Sequence, residues 1–363
     1  MFDYTHYVPI LKAKEGEYGA LKELSPVVRD RITPIIEIMP IPWDFENAVP
    51  AKTIDEHLGK VTEKIRGCWP ERTPLFIDLL WIPETERMAD GRHPLTFILD
   101  SARSKDLYLI PVTGVARNRD YQLAVKDAVL KDRRGYCMRL DNDDFGEFGT
   151  LSTKINDLLG EIGTEPDEVD LVLDFKEISS TQTAAVTIAA NSLISTLPFI
   201  AQWRTLIFAG TGFPSDLSDV PASSIKTIAR TEWTVWQSLI SASSTIKRKP
   251  SLADYGISHP SPTEIDPRIM RMSANLRYTT DTDWLILKGR NVRDHGFEQF
   301  HALCRQLIVR PEYKGAAFSW GDQTISDCAG RTTNPGNATT WRKVGTNHHV
   351  TLVAEQIASL SVP

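Results

Sequence analysis

The chain has 363 residues, of which 41% are hydrophobic and 24% are charged, and its formal net charge at neutral pH is −6. These values are typical of a globular protein, and they exclude the disordered, collagen-like and low-complexity classes. The acidic balance also disfavours a surface that is basic throughout, although it remains compatible with a local basic pocket.

The N-terminal sequence and the cysteines bear on the cellular compartment. No apolar run approaches the roughly 18 residues that span a bilayer, and the first residues lack the apolar region of a signal peptide. We therefore expect a cytoplasmic protein without a membrane partner. The four cysteines are far apart and form no CxxC pair, which disfavours a zinc site and a disulfide framework.

Eight short apolar runs recur along the first two thirds of the chain, and polar stretches with helical spacing separate them. Continuous apolar runs of this length are typical of parallel strands that are buried on both faces. The predicted strands are residues 7–13, 32–39, 75–81, 107–113, 136–140, 169–175, 205–209 and 252–257. The predicted helices are residues 54–65, 94–104, 121–130, 151–162, 181–197 and 231–240.

Strands that alternate with helices predict βαβ units and a parallel sheet. Eight such units fit an α/β fold of the TIM-like (β/α)8 barrel type. A doubly wound open sheet is the alternative, but no GxGxxG motif follows an early strand and no Walker A motif occurs. The glycines at 210 and 212 indicate a tight turn after the seventh run, with an anion-binding nest as the alternative.

The pattern changes after about residue 262. Residues 281–283 look like a hairpin turn, residues 297–309 have the spacing of a helix, and residues 314–346 are predicted to be loop. Asn347 is the predicted cap of a last helix that runs to about residue 360. We therefore predict a barrel over residues 1–265 and a C-terminal α+β extension over residues 266–363 that packs near the barrel mouth.

Charged residues interrupt the apolar runs near their C-terminal ends. A charge in a buried strand is costly unless it is paired or functional, and active sites of (β/α)8 barrels are built at this end of the strands. We therefore predict a polar functional site at the mouth. The alternative is a buried salt-bridge network that has no role beyond specifying the barrel fold. The candidate residues from the strands are Lys12, Glu37, Asp78, Arg139, Asp174, Lys176 and Asp254.

Three chemistries are compatible with this set. Glu37, Asp78 and Asp174 are candidate ligands for Mg²⁺ or Mn²⁺, which prefer oxygen ligands and activate water on a phosphodiester. Lys12, Arg139 and Lys176 are candidates to clamp a phosphate or carboxylate while a carboxylate acts as a base. A Schiff base on a lysine is the third option, and it is disfavoured because nearby acids keep a lysine protonated.

A second polar cluster lies in the extension, where tryptophan, arginine and histidine occur in a glycine-rich segment. We expect a lid that closes the barrel mouth and supplies Arg342 and His348, with a histidine acting as acid or base near neutrality. Trp320 and Trp341 are candidates to stack on a base or ring. A loop that merely packs on the barrel is the alternative.

Several segments together resemble the group of bacterial and phage proteins called beta family proteins. They are YVPILKAKEGEYGAL near the N-terminus, residues 35–39, residues 230–233, residues 254–256, and SWGDQ with TTWRKVGTNHH near the C-terminus. No catalytic residues can be carried over from this resemblance. It implies an origin in phages or in mobile and defence islands, and so a role in phage–host conflict.

These observations lead to a first hypothesis of an antiviral defence or phage protein that acts on a phosphate-bearing substrate, a nucleotide or nucleic acid. A metal-dependent phosphodiesterase or nuclease-like hydrolase is compatible with it. The alternative is a non-catalytic sensor that recognises a small ligand or a phage protein. A structural subunit that binds a neighbour-encoded protein is the third hypothesis.

Overall fold

The computed structural model describes residues 2–242, 246–262 and 272–360. Its strands, within these ranges, are β1 (Tyr7–Lys12), β2 (Ile35–Glu37), β3 (Trp43–Asp44), β4 (Val49–Pro50), β5 (Leu75–Asp78), β6 (Leu109–Thr113), β7 (Tyr136–Asp141), β8 (Val169–Glu177), β9 (Thr205–Thr211), β10 (Ser224–Ala229), β11 (Ser251–Asp254), β12 (Ser273–Thr279) and β13 (Asp283–Asn291).

Eight of these strands close into a parallel barrel. Their order around the barrel is β1, β11, β9, β8, β7, β6, β5 and β2, and each is one of the eight predicted runs. The prediction of a TIM-like (β/α)8 barrel is therefore confirmed. The remaining strands form a hairpin of β3 with β4 and an antiparallel sheet in the order β10, β13, β12.

Some of the helices between the barrel strands begin at residues whose side chains cap them. Thr53 forms a capping box with Glu56, and the side chain of Asn118 accepts a hydrogen bond from the amide of Tyr121. The helices are α1 (Glu15–Lys22), α2 (Pro26–Arg29), α3 (Ile54–Leu58), α4 (Val61–Arg66), α5 (Pro94–Arg103), α6 (Arg119–Asp132), α7 (Asn142–Gly146), α8 (Phe148–Ile162), α9 (Thr183–Thr196), α10 (Thr231–Ser241), α11 (Val292–His295), α12 (Gln299–Ile308), α13 (Trp320–Ala329) and α14 (Ala338–Ser359), with a 3-10 turn at Pro166–Glu168.

The barrel strands alternate between two cores, as successive side chains of a strand point to opposite faces. The inner core is a separate cluster that includes Ile35, Phe76, Val172, Ala253 and Tyr255. The outward side chains pack against the surrounding helices in one larger cluster. This alternation decides which charged residues reach the mouth.

The extension is an insertion between the last barrel strand and the last helix. Sheet strands β12 and β13 pack on α12 and α13 around their own apolar core, and β10, from earlier in the chain, adds to the edge of β13. Helix α14 then returns to pack on α1, α2 and β1. The predicted domain boundary between residues 265 and 266 lies outside the described residues.

The prediction of the C-terminal loop was wrong. Residues 314–346 contain α13 and the start of α14, which Asn337 caps by accepting from the amide of Thr340, and Asn347 is buried in the middle of that helix. Because α14 is buried between the barrel and the extension, it has no polar stripe of helical period, and its threonines, asparagine and histidines resemble loop composition. The hairpin at residues 281–283 and the helix near residues 297–309 were predicted correctly.

Candidate functional site

Arg139 is the centre of a buried ion-pair cluster at the C-terminal mouth of the barrel. Its Nη1 donates to Glu37 Oε1 at 2.9 Å and to Asp78 Oδ2 at 2.7 Å. Its Nε and Nη2 both donate to Asp174 Oδ2, at 2.9 and 2.8 Å. The three carboxylates come from β2, β5 and β8, so the barrel closes them around one guanidinium.

Three further side chains complete this cluster. Tyr255 accepts from Arg139 Nη2 at 2.6 Å and donates to Asp174 Oδ2 at 2.6 Å. Lys176 Nζ lies 2.9 Å from the same oxygen, and Arg117 Nη2 donates to Asp78 Oδ1 at 2.8 Å. We call this set the mouth cluster: Glu37, Asp78, Arg117, Arg139, Asp174, Lys176 and Tyr255. Tyr255 and Arg117 were absent from the sequence-based prediction.

The charges of the mouth cluster compensate one another. Burial opposes ionisation of Asp174, but the charges of Lys176 and Arg139 outweigh it and lower the pKa of this carboxyl. Burial likewise opposes the charge of Arg139, yet Tyr255, Asp174 and Glu37 hold its pKa well above the usual value. Burial raises the pKa of Glu37, and Arg139 offsets this only in part. The charged form of Glu37 is therefore less stabilised than that of Asp174.

The geometry of the mouth cluster does not fit a metal site. The guanidinium of Arg139 bonds to all three predicted ligands, Glu37, Asp78 and Asp174, so their oxygens do not converge on a common cation. Among the described residues, no group of three or more histidine, cysteine, aspartate or glutamate side chains is arranged to hold a metal ion.

Two cavities open above the mouth cluster. One has a volume of about 320 Å³ and is lined by residues that include Glu37, Trp81, Lys176, Tyr255 and His259. We call it the mouth cavity. The other, of about 270 Å³, lies beside Arg117 and Arg139. The cluster thus forms the floor of open space rather than a sealed core.

A groove with many cationic side chains lies beside the mouth cavity, between the ends of β1, β9 and β11 and the extension. Its volume is about 590 Å³, and two carboxyl groups, of Glu17 and Asp216, line it. A neighbouring pocket of about 550 Å³ shares Lys14, Arg277 and Arg342 with it. We call this the basic groove, and its cationic residues are Lys12, Lys14, Arg277, Lys288 and Arg342.

The cations of the basic groove lack the close carboxylates of the mouth cluster. Lys12 Nζ donates to the carbonyl of Ser261 at 3.1 Å, and Arg342 Nε lies 3.9 Å from Glu17 Oε1. No ion pair within the described part of the chain joins the other three cations to a carboxylate. The two regions at the mouth therefore differ in electrostatic balance.

The pKa values in the groove reflect this balance. Burial lowers the pKa of Lys12 to about 8, helped by the charges of Lys14 and Arg342 and opposed by Glu37 and Glu17. Burial also raises the pKa of Glu17, and its Oε2 is buried without a partner among the described residues. An anion that entered the groove would stabilise the charged form of Lys12.

Asp254 and His348 do not lie at the mouth. Ala253 and Tyr255 face the barrel interior, so Asp254 faces outward, where it accepts from Tyr7 Oη at 2.5 Å and pairs with His349 at 3.0 Å. His348 is buried against Asp322, with 2.7 Å between Nδ1 and Oδ2, and against the carbonyl of Thr279. Both pairs join α14 to its neighbours and belong to the packing of the extension.

The predicted lid loop is absent from the described residues, because Arg342 and His348 both lie on helix α14. Arg342 reaches the basic groove from the first turns of α14, where its Nη1 donates to Ser258 Oγ at 2.6 Å. Trp341 is buried and stacks on Phe300, with ring centroids 4.3 Å apart, and Trp320 lies under the ammonium of Lys343. Each of the two tryptophan rings thus already has a contact within the protein.

The turn at residues 210–212 is occupied by protein contacts. The amide of Gly212 donates to Glu232 Oε2 at 2.9 Å, and a Cβ at this position would meet Thr231 Oγ1 at 2.5 Å. Glycine is therefore required for the close approach of α10. Since that amide already has a carboxylate partner, the structure favours the tight turn over the anion nest.

These features define a (β/α)8-barrel protein with a compensated charge cluster on the floor of its mouth and, beside it, a basic groove with few carboxylate partners. The chain belongs to the Beta protein family, whose model it matches over residues 7–355. This match confirms the resemblance carried by the N- and C-terminal segments. No curated protein matches the chain. In the part of the chain that the structure describes, no helix is long and apolar enough to cross a membrane.

Proposed function

We propose that the protein binds a phosphate-bearing ligand, a nucleotide or a short single strand of nucleic acid, in the basic groove. The observation that carries this proposal is the set of five cationic side chains against two carboxyl groups in one cavity of about 590 Å³. The volume lies in the range of small-molecule sites, roughly 300–1,000 Å³. Charge-assisted hydrogen bonds from lysine and arginine are the usual means of holding phosphate oxygens.

The arrangement of the cations supports phosphate over an isolated carboxylate. They come from β1 and the segment after it, from the sheet of the extension and from α14, so they surround the groove from several sides. A phosphate chain carries more negative oxygens over a longer span, so it can contact more of these cations at once than a single carboxylate can. The net charge of −6 does not oppose this, because steering depends on the local field of the groove.

Calorimetric titration with pyrophosphate and with nucleoside triphosphates tests the proposal. Lys14 is exposed, and no ion pair with a described residue holds it, so Lys14→Ala removes a cation without disturbing the fold. We expect affinity to fall roughly 3- to 10-fold, the scale of one charge-assisted contact. Lys131→Ala, on the distant and exposed end of α6, is the matched control. No heat with any of these ligands would overturn the proposal.

Hydrolysis of the bound ligand is the second candidate function, and one pair of residues favours it. His259 Nε2 lies 3.1 Å from Glu177 Oε2, and His259 lines both the basic groove and the mouth cavity. A histidine held by a carboxylate is a common general base, although Nδ1 of His259 accepts from the amide of Ser261 at 3.2 Å and must exchange that bond for a water before it can act as one. A His259→Gln variant that binds but no longer hydrolyses a nucleotide would support it. Absence of turnover in the wild type would leave a non-catalytic sensor.

The wider role that we propose, in phage–host conflict, rests on the sequence resemblance. The groove allows either an enzyme or a sensor in that role, with a neighbour-encoded protein as partner. Plating efficiency of phages on cells that carry the wild type or Lys14→Ala tests it. Equal plating with and without the wild-type protein across a broad phage panel contradicts the proposal.

A further inference from the structure

Two residues that line the mouth cavity each carry a buried polar atom with no hydrogen-bond partner among the described residues. These atoms are Glu37 Oε2 and Trp81 Nε1, and both residues line the same cavity of about 320 Å³. Glu37 is fully buried, and its other oxygen is held by Arg139 at 2.9 Å. One oxygen of this side chain is thus fixed by the protein, while the other is buried without a partner among the described residues.

Such atoms are unusual in a native fold. Leaving a buried donor or acceptor without a partner costs about 1–3 kcal/mol, more if it is charged, and most buried polar groups are paired. Other unpartnered atoms occur in the described residues, but here an indole N–H, which can only donate, and a carboxyl oxygen belong to residues that line the same cavity. A ligand that reached both atoms would meet one donor and one acceptor.

We propose that the mouth cavity binds a nucleobase, with Glu37 Oε2 accepting from a base N–H and Trp81 Nε1 donating to a base carbonyl or ring nitrogen. The edge of a nucleobase carries a donor and an acceptor side by side, which matches this pair. The identification of the ligand as part of a nucleotide rests on the proposed function.

The charges around the cavity favour an uncharged group over a second phosphate. Glu37 and Glu177 line it with a single lysine, Lys176, and that lysine is already held 2.9 Å from Asp174. An anion would meet the carboxyl of Glu37 without a free cation to offset it. A neutral base meets no such cost.

The position of the cavity fits the basic groove. His259 and Ser261 line both spaces, and Lys12, whose ammonium lies in the groove, is bonded to the carbonyl of Ser261 at 3.1 Å. The segment after β11 is therefore the shared wall. A nucleotide can place its base on one side of this wall and its phosphates on the other.

Titration of the full chain with adenosine, guanosine, cytidine and uridine tests the inference apart from the phosphate site, because nucleosides carry no phosphate. We expect at least one nucleoside to bind in the millimolar range or tighter. Trp81→Phe removes the unpartnered N–H and keeps an aromatic ring, so we expect its affinity for that nucleoside to fall roughly 5- to 10-fold. Pyrophosphate affinity should be unchanged. Trp43→Phe, in the exposed hairpin of β3 and β4, is the matched control.

Two results would overturn the inference. If the wild-type protein binds none of the four nucleosides, the cavity is not a nucleobase site. If Trp81→Phe binds the nucleoside as tightly as the wild type does, the indole N–H is not a donor to the ligand. If nucleosides bind but pyrophosphate does not, the result contradicts only the proposed phosphate site in the basic groove. The two proposals therefore fail separately.

Discussion

The mouth cluster and the basic groove lie at the same end of the barrel but treat charge in opposite ways. In the mouth cluster, three carboxylates enclose Arg139 and nearly every charged atom has a partner within 3 Å. In the basic groove, five cations face two carboxyl groups, and Lys12 has a pKa lowered to about 8, mainly by burial. The cations of the mouth cluster are paired with carboxylates, whereas those of the groove have few carboxylate partners, and Arg277 and Lys288 donate to backbone carbonyls instead.

The physical reason lies in burial. A charge that the barrel removes from water must be paired, because an uncompensated buried charge costs several kcal/mol. The groove opens to solvent, and its partly buried cations Lys12, Arg277 and Lys288 have backbone carbonyls rather than carboxylates as partners. Charged residues at a barrel mouth therefore indicate function only where their partners are missing.

The largest expected effect breaks the mouth cluster. Arg139→Met leaves Glu37, Asp78 and Asp174 buried together without the central guanidinium, and we expect the free energy of unfolding to fall by about 3–5 kcal/mol. Urea denaturation followed by circular dichroism measures it. The Asp174 pKa is lowered in the intact cluster, so this carboxyl contributes stability above its unfolded pKa that is lost as pH falls. The difference between variant and wild type should therefore shrink in acid. A loss below about 1 kcal/mol would contradict the account of a buried network.

A smaller effect is expected at the rim of the same cluster. Arg117 pairs with Asp78 at 2.8 Å and retains 15% side-chain exposure, while Asp78 keeps its bond to Arg139 in the variant Arg117→Ala. We expect a loss of about 1–2 kcal/mol in the same denaturation experiment. A loss equal to that of Arg139→Met would show that the rim and the centre contribute alike, against the structure.

The affinity of the basic groove for anions should depend on pH near pH 8. Sulfate keeps its charge between about pH 7 and pH 9, whereas Lys12, with a pKa lowered to about 8, loses its proton over this interval. We expect sulfate affinity to fall several-fold as pH rises through 8, measured by calorimetry. Lys12→Met should bind more weakly at pH 7 and change little with pH. The same pH dependence in Lys12→Met would assign the titration to another group.

The smallest expected effect is on stability in the groove. Lys14 is exposed, and no ion pair with a described residue holds it, so Lys14→Ala should change the free energy of unfolding by less than about 0.5 kcal/mol. Thermal and urea unfolding measure it alongside the loss of anion affinity. A destabilisation as large as that of Arg117→Ala would mean that the groove cations also serve the fold, and the contrast between the regions would disappear.

Much of the fold was predictable because its signals are local. Parallel strands buried on both faces are continuous apolar runs, and all eight barrel strands were found in this way. The second half of helix α14 was predicted, but its first half was taken as loop because its threonines and glycine resemble loop composition and show no amphipathic period. Strand β10 was missed because it pairs with β13, more than fifty residues later.

The candidate site was predictable only in part. Glu37, Asp78, Arg139 and Asp174 stand out because they interrupt apolar runs. Tyr255 could have been found from the same alternation, since it shares a face with Ala253 two residues earlier, and that alternation also turns Asp254 away from the mouth. Arg117, Arg277 and Lys288 carry no such signal, because they reach the mouth from a loop and from the extension.

The sequence by itself determined the barrel and the presence of charge at the carboxyl ends of its strands, because strand pattern and side-chain alternation act over a few neighbouring residues. Only the tertiary structure decided which charged residues form ion pairs with one another. Arg139 meets Glu37 from 102 residues away, and Lys12 shares its groove with Arg342. Pairing and desolvation depend on distances between parts of the chain that the local pattern does not relate, and those distances separate the structural charges from the ones proposed to bind a ligand.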